Sequence, residues 1–241
     1  MADKKKIGLA ILNKNEIIGA KELISKIDQS LFNEIICIDG GSTDGSNKFI
    51  ESKGIKVLQQ KSSGRGEAFQ LAIREMGERL DGIVFFSLDG NEDPKDLEKF
   101  VNYFEKEFDL VIANRMGNNS VNEEDAKFLK PRKWANQLFA WLAYLIWGSR
   151  GQYIQDPING YRGLSKKFYD RENFESKKFS IEYETSIRAY KGRYSFVEFD
   201  TVEGQRLGGN STAKSFPVAV SLLKIIINES GISNFFDKRK L

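Results

Sequence analysis

The sequence contains no histidine and only one cysteine, Cys37, in 241 residues. Without imidazole there is no histidine-ligated metal centre, no Ser-His-Asp hydrolase and no histidine proton relay. With one thiol there is no internal disulfide framework and no cysteine-rich zinc site. Long apolar runs are also missing. The longest uncharged one covers residues 138–147, about half of the ~20 residues a spanning helix needs. No excess of one charge exists either: 37 basic against 34 acidic side chains leave +3, so no nucleic-acid partner is expected. The start, Met-Ala-Asp-Lys-Lys-Lys, runs straight into Ile7–Leu12 with no signal-peptide cleavage region. The expectation is a cytoplasmic protein, at most peripheral on the cytoplasmic face of a membrane. Any chemistry must use carboxylates, lysine, arginine, hydroxyls or a metal held by oxygen.

What is present is an ordinary globular balance, 40% apolar and 29% charged, enough for a sizeable core. Short apolar runs at Ile7–Leu12, Glu34–Asp39, Ile55–Gln59, Gly82–Leu88 and Asp109–Asn114 read as buried strands. Amphipathic stretches of helical length lie between them, at Glu16–Ile27, Asp44–Lys53, Gly66–Leu80 and Pro94–Glu107. This alternation predicts an α/β fold with a mostly parallel central sheet flanked by helices. Ligands in such sheets sit beyond the carboxyl ends of the strands. Further on, residues 116–125 read as a mobile polar loop, 131–148 as a Trp-rich apolar helix and 155–163 as a turn-rich loop. Residues 181–190 read as a helix, 194–202 as a strand and 216–228 as a last amphipathic helix, before the basic tail Lys238-Arg239-Lys240. The expected division is a catalytic-type domain over 1–215 and a helix with a basic tail over 216–241.

Five loop segments carry chemistry, although each alone also reads as a plain capped turn. Asp39-Gly40-Gly41-Ser42-Thr43-Asp44-Gly45 ends the second strand, with Asp39 placed to accept hydrogen bonds from a base or ribose. Ser63-Gly64-Arg65-Gly66 opens a helix with small residues and an arginine, which suits an anion. Asp89-Gly90-Asn91-Glu92-Asp93-Pro94 gathers oxygen ligands at the end of the fourth strand: Asp89 first, with Asn91 and Asp93 in support. In Gln155-Asp156-Pro157-Ile158-Asn159-Gly160-Tyr161-Arg162-Gly163, Asp156 is placed to orient or deprotonate an acceptor. Gln205-Arg206-Leu207-Gly208-Gly209-Asn210-Ser211 sets an arginine among flexible amides, as in a phosphate clamp.

Taken in order, these segments resemble those of the inverting nucleotide-sugar glycosyltransferases of family two. Within them the sequence is most similar to the branch of dolichyl- and polyprenyl-phosphate sugar synthases. The resemblance covers roughly residues 6–215. It implies the Rossmann-like GT-A fold, with C-terminal amphipathic helices, and a nucleoside-diphosphate sugar as donor. It implies nucleotide contacts at Leu12 and Asn13, where the family's usual proline is absent. Glu16 and Asp39 match the acids that bind base and ribose. Asp89-Gly90-Asn91 matches the D-x-D motif that holds Mg²⁺ or Mn²⁺ on the diphosphate. Its third position is Asn where the family often has Asp, and Asp93 is placed to compensate. Arg115 matches the arginine after the fifth strand, while Arg132 and Arg206 match a clamp on donor and acceptor phosphates.

The mechanism implied is a single displacement with inversion. Metal and arginine stabilise the departing diphosphate, and Arg206 and Asp156 are the catalytic candidates. The acceptor implied is a polyprenyl phosphate, already ionised at neutral pH. A saccharide hydroxyl, in surface-polysaccharide or glycolipid assembly, is the alternative and would need Asp156 as base. The Trp134–Trp147 helix fits core packing, a membrane-surface contact or a homodimer face. A nucleotidylyltransferase is disfavoured because its G-x-G-T-R-x-x-P loop is missing after the first strand. A non-catalytic nucleotide-sugar binding module stays open.

Overall fold

In the computed structural model, residues 4–121, 131–148, 152–178, 180–208 and 215–231 are described. The five apolar runs form strands β1 (Ile7–Asn13), β2 (Glu34–Asp39), β3 (Lys56–Gln59), β4 (Gly82–Ser87) and β5 (Leu110–Asn114). Two more complete the sheet, β6 (Arg162–Ser165) and β7 (Phe196–Asp200). The order across the sheet is β3-β2-β1-β4-β6-β5-β7.

The sheet is mostly parallel, as expected, and one strand makes it mixed. β6 runs antiparallel to both β4 and β5, while the remaining pairs are parallel. The segment expected to be only a turn-rich loop thus ends in a strand. That strand was illegible because its sequence, Arg-Gly-Leu-Ser, has no apolar period.

Eight α-helices are described: α1 (Ile17–Leu23), α2 (Ser46–Ser52), α3 (Arg65–Met76), α4 (Leu97–Glu105), α5 (Pro131–Trp147), α6 (Lys166–Arg171), α7 (Ile181–Lys191) and α8 (Ser215–Glu229). They cover both faces of the sheet, as the central strands require. In β1, Leu9 and Ile11 point into the layer that holds Leu23, Phe86 and Phe100. Ala10 and Leu12 point into the layer that holds Phe69, Phe139, Ile187 and Leu222. A strand buried on both faces reads as a continuous apolar run, which is why β1, β4 and β5 stood out.

Helix α5 has two sides. Phe139, Ala140 and Ala143 are buried, and the Tyr183 hydroxyl donates to the Phe139 carbonyl at 2.9 Å. On the other side Trp134, Leu138, Trp141 and Leu145 are 54, 54, 52 and 63% exposed. Helix α8 packs beside it with Leu222 inward and Val220, Leu223 and Ile227 outward. Arg188 and Lys191 of α7 pair with Glu229 at 2.8 and 2.5 Å, fixing the end of α8. The second half of the expected mobile loop, the stretch Gly209-Asn210-Ser211 and the basic tail lie outside the described residues.

Candidate functional site

The carboxyl ends of β1, β2, β4 and β5 open on one edge of the sheet, and the polar loops that follow them converge there. Asn13 closes β1 directly opposite Asp39, the last residue of β2. Asp39 is fully buried and accepts from the Gly41 and Ser42 amides, both at 3.0 Å, and from the Ser42 hydroxyl. Burial opposes its charge, but the Ser42 and Asn47 side chains and these amides hold its carboxyl below the usual range. Its lone pairs close its own loop instead of facing outward. The Asn13 amide nitrogen donates to the Ser46 hydroxyl and the Asn47 side-chain oxygen, both at 2.9 Å. The Asn13 side-chain oxygen is buried with no hydrogen-bond partner.

The Asp89 loop is crossed by the chain after β7. The Gly204 amide donates to the Asn91 carbonyl at 3.0 Å, and the Leu207 amide to the Asp89 carbonyl at 2.9 Å. Gly90 has φ +96°, and a Cβ there would stand 2.6 Å from Leu207 Cγ. Glycine is therefore required twice, for the left-handed backbone and for the crossing. The crossing delivers Arg206. Its guanidinium meets Asp89 at 3.1 Å and Glu16 at 2.6 Å, and its Nε donates to the Gly208 carbonyl at 3.0 Å. Burial raises the Glu16 carboxyl, partly offset by Arg206. The second Glu16 oxygen is buried without a hydrogen-bond partner.

Beside it lies a second ion-pair network. Arg115 grips Asp156 through two nitrogens, at 2.8 and 3.0 Å, and its backbone amide adds a third bond at 3.0 Å. Asn136 on α5 donates to the same carboxylate at 2.8 Å. Asp156 is fully buried. Burial opposes its charge, yet Arg115 and Asn136 hold its carboxyl below the usual range. Such a carboxylate is a weak base with no open lone pair, so the geometry does not support the base role. It makes Asp156 the anchor of Arg115. The third nitrogen of Arg115 reaches Glu203 at 3.1 Å, and Glu203 also accepts from the Asn91 side-chain nitrogen at 3.3 Å. Glu203, isolated in Val-Glu-Gly, gave no sequence signal, yet it links the two networks.

The remaining candidates fall elsewhere. Arg65 does not face an anion pocket. It pairs with Glu182 of α7 at 2.8 Å and with Glu92 at 3.3 Å, and these carboxylates keep it cationic against burial. The glycines around it have a packing cause. Cβ atoms at Gly64 and Gly66 would stand 2.0 and 1.9 Å from the Lys177 and Ser176 carbonyl oxygens. The amides of Gly66 and Glu67 donate to the Lys178 and Lys177 carbonyls, so these two first-turn donors of α3 are already taken. Asp93 turns away to cap its own short turn, accepting from the Lys95 amide at 3.0 Å. Among the described residues no three acidic or thiol side chains gather as a metal cluster. Of the three residues expected to hold a metal, Asp89 and Asn91 stay together in one loop. Leu12 is buried in β1, and Arg132 is exposed on the first turn of α5.

The fold is a mixed α/β sheet that gathers two arginine–carboxylate networks at the carboxyl ends of its strands, where ligands of such sheets sit. The family model for "Glycosyl transferase family 2" matches residues 14–175. The chain belongs to that family. It is 25% identical over 198 residues to "Glycosyltransferase AglJ" of Haloferax volcanii, covering 82% of this chain and 63% of AglJ. It is 24% identical over 220 residues to the UDP-N-acetylglucosamine–dolichyl-phosphate N-acetylglucosaminyltransferase of Methanococcus voltae, covering 82% and 85% of the two chains. The fold matches glucosyl-3-phosphoglycerate synthase of Mycobacterium tuberculosis at a TM-score of 0.72 and 16% identity, over 94% of this chain and 81% of that one. A structure of that synthase with Mn²⁺, UDP-glucose and phosphoglyceric acid gives 0.71 and 18%, over 94% and 80%.

Proposed function

We propose that the chain transfers a glycosyl group, with inversion, from a nucleoside-diphosphate sugar to the ionised phosphate of a polyprenyl lipid. One observation carries the acceptor. Asp156, the residue placed to act as a base, is already matched by an arginine, as are its neighbours in the two networks: Glu16 and Asp89 by Arg206, Asp156 and Glu203 by Arg115. Asp156 so held is not free to deprotonate a hydroxyl. A phosphomonoester, with a second pKa of about 6, needs no base at neutral pH. The exposed apolar sides of α5 and α8, with Arg132 and Lys133 at one end, suit a site working against the cytoplasmic face of a membrane. The Methanococcus relative, by its name, acts on dolichyl phosphate.

The donor site fits a divalent ion. Asp89 and the Asn91 side chain offer the hard oxygens that Mg²⁺ or Mn²⁺ prefers, and a cation, Arg206, already rests on Asp89. When bound, the ion supplies positive charge beside the diphosphate. The chain's own residues do the rest. Asp89 would hold the ion, and Gly90 lets the Asp89 loop take the turn under the crossing chain that carries Arg206. Leu12 and Asn13 border the nucleotide. Arg206 and Arg115 stabilise charge on the departing diphosphate and the incoming phosphate. Asp156 fixes Arg115, and Arg132 meets the acceptor headgroup.

A second reading, transfer to a saccharide or other soluble hydroxyl, is favoured by the Mycobacterium structure, where UDP-glucose and phosphoglyceric acid sit together. Thermal unfolding with nucleoside diphosphates, with and without Mn²⁺, tests the donor half. A ligand at 100 times its Kd adds about 2.7 kcal/mol, or roughly 5–11 °C for a chain of this size. Labelled donor offered to polyprenyl phosphate and to soluble saccharides tests the acceptor. Label appearing only in saccharide sinks the lipid-phosphate reading.

A further inference from the structure

We propose that Arg206 is a resident counter-cation. It keeps the Glu16–Asp89 carboxylate pair closed to a free divalent ion, and yields it only to an ion arriving with a diphosphate. This rests on the donor reading above and adds to it an order of events: metal and nucleotide bind as one unit.

The geometry is specific. One terminal nitrogen of Arg206 lies 3.1 Å from Asp89 and the other 2.6 Å from Glu16. The same side chain therefore spans the carboxylate expected to hold the metal and the acid at the head of α1. Glu16 is more than nine-tenths buried, and its second oxygen has no hydrogen-bond partner. The pair is thus under-neutralised, with two carboxylates facing one guanidinium and an acceptor oxygen unfilled. A bare divalent ion seated on this pair must take from Arg206 both charge-assisted bonds and leave it only the Gly208 carbonyl, half-enclosed by protein. An ion carrying a diphosphate brings the replacement partner with it, since guanidinium and diphosphate oxygens match in a bidentate fork.

The backbone on each side of Arg206 stays pinned during the exchange. The Gly204 amide is held by the Asn91 carbonyl and the Leu207 amide by the Asp89 carbonyl. Only the side chain has to swing, and it swings within reach of whatever sits on Asp89. Couplings of this kind between two ligands typically amount to about 5–150-fold in affinity.

Mn²⁺ titration followed by electron paramagnetic resonance measures the exchange without turnover. The full chain is compared with Arg206→Gln, Arg206→Lys and Glu16→Gln, each with Mn²⁺ alone, with UDP and with GDP. Arg206→Gln is expected to bind Mn²⁺ alone at least about fivefold tighter than the parent and to lose most of the nucleotide enhancement. Arg206→Lys, still a cation, is expected to stay near the parent. Glu16→Gln leaves Asp89 and Arg206 as a one-to-one pair and is expected to weaken binding of Mn²⁺ alone, the opposite direction to Arg206→Gln. It stands in for that variant should the latter melt early by circular dichroism. Unchanged affinity for Mn²⁺ alone in both variants, with UDP or GDP enhancing parent and variants equally, overturns the counter-cation and leaves the donor reading standing. No Mn²⁺ binding to any form with either nucleotide removes the donor reading, and the counter-cation with it.

Discussion

Replacing Asp156 with asparagine separates an anchor from a base. The native carboxylate is fully buried and takes four bonds, two from the Arg115 side chain at 2.8 and 3.0 Å, one from its amide at 3.0 Å and one from Asn136 at 2.8 Å. Asparagine keeps one acceptor oxygen and turns an NH₂ toward the guanidinium. Removing one partner of a buried pair costs about 3–5 kcal/mol. Arg115 retains Glu203 at 3.1 Å and its side chain is 20% exposed, so the lower part of that range applies. For a chain of this size each kcal/mol moves Tm by about 2–4 °C, so Asp156→Asn is expected to lower Tm by about 6–12 °C. Circular dichroism on Asp156→Asn, Arg115→Gln and the double variant yields the pair's coupling energy, expected to exceed about 2 kcal/mol. Turnover should fall alike with lipid-phosphate and hydroxyl acceptors, because Arg115 is displaced for both. A Tm within 2 °C of the parent, combined with a loss confined to hydroxyl acceptors, would refute the anchor and restore the base.

The pH dependence of the same pair follows from its sign. The folded Asp156 carboxyl titrates below its unfolded value of about 3.9, so its stabilisation is present above that pH and lost as pH falls through the folded value. The Tm gap between the parent and Asp156→Asn is therefore expected to hold from pH 7 to 5 and to narrow below 4; a constant gap down to pH 2.5 contradicts it. Gly90→Ala forces a side chain to φ +96° and against Leu207, and should weaken nucleotide-dependent Mn²⁺ binding at least about tenfold, at a stability cost of about 1–3 kcal/mol. Trp134→Ser with Trp141→Ser removes two half-exposed rings; flotation with anionic liposomes should be lost while Tm changes by less than about 2 °C. If flotation survives, these rings are not the membrane contact; if it never occurred and the sedimentation coefficient falls instead, the face serves a homodimer.

Local signals in the sequence identify elements whose cause is local. The strands β1, β2, β4 and β5 are apolar runs because each is covered on both faces, and their limits are visible to within a residue or so. β6 is invisible because Arg162 fills an inward position that an aliphatic residue usually takes. It is fully buried and spends its donors on the Asn159, Glu182 and Pro157 carbonyls and on the Thr185 and Ser186 hydroxyls. At the site, the residue types and their place at strand ends were legible, while their pairings were not. Asp156 meets an arginine 41 positions earlier, and Arg206 meets Glu16 across 190. No period or spacing encodes a contact of that range. The Gly64-Arg65-Gly66 segment shows the opposite error. Glycine before a helix suits a phosphate, but equally a neighbouring backbone that passes too close for a Cβ.

The place of β6 also orders the assembly of the sheet. Strands β1 to β4 pair among themselves and come from one continuous stretch, residues 7–87. β5 is made next, yet its neighbours are β6 and β7. It has no edge to join until β6 slots between it and β4, and Leu164 finds both Ile83 and Leu110. Such closures span many residues and are slow relative to local pairing. On a ribosome, the first four strands can therefore form a sheet while β5 waits. The late four-residue strand then joins the two halves, and only afterwards do Arg115 and Asp156 lie beside Asp89.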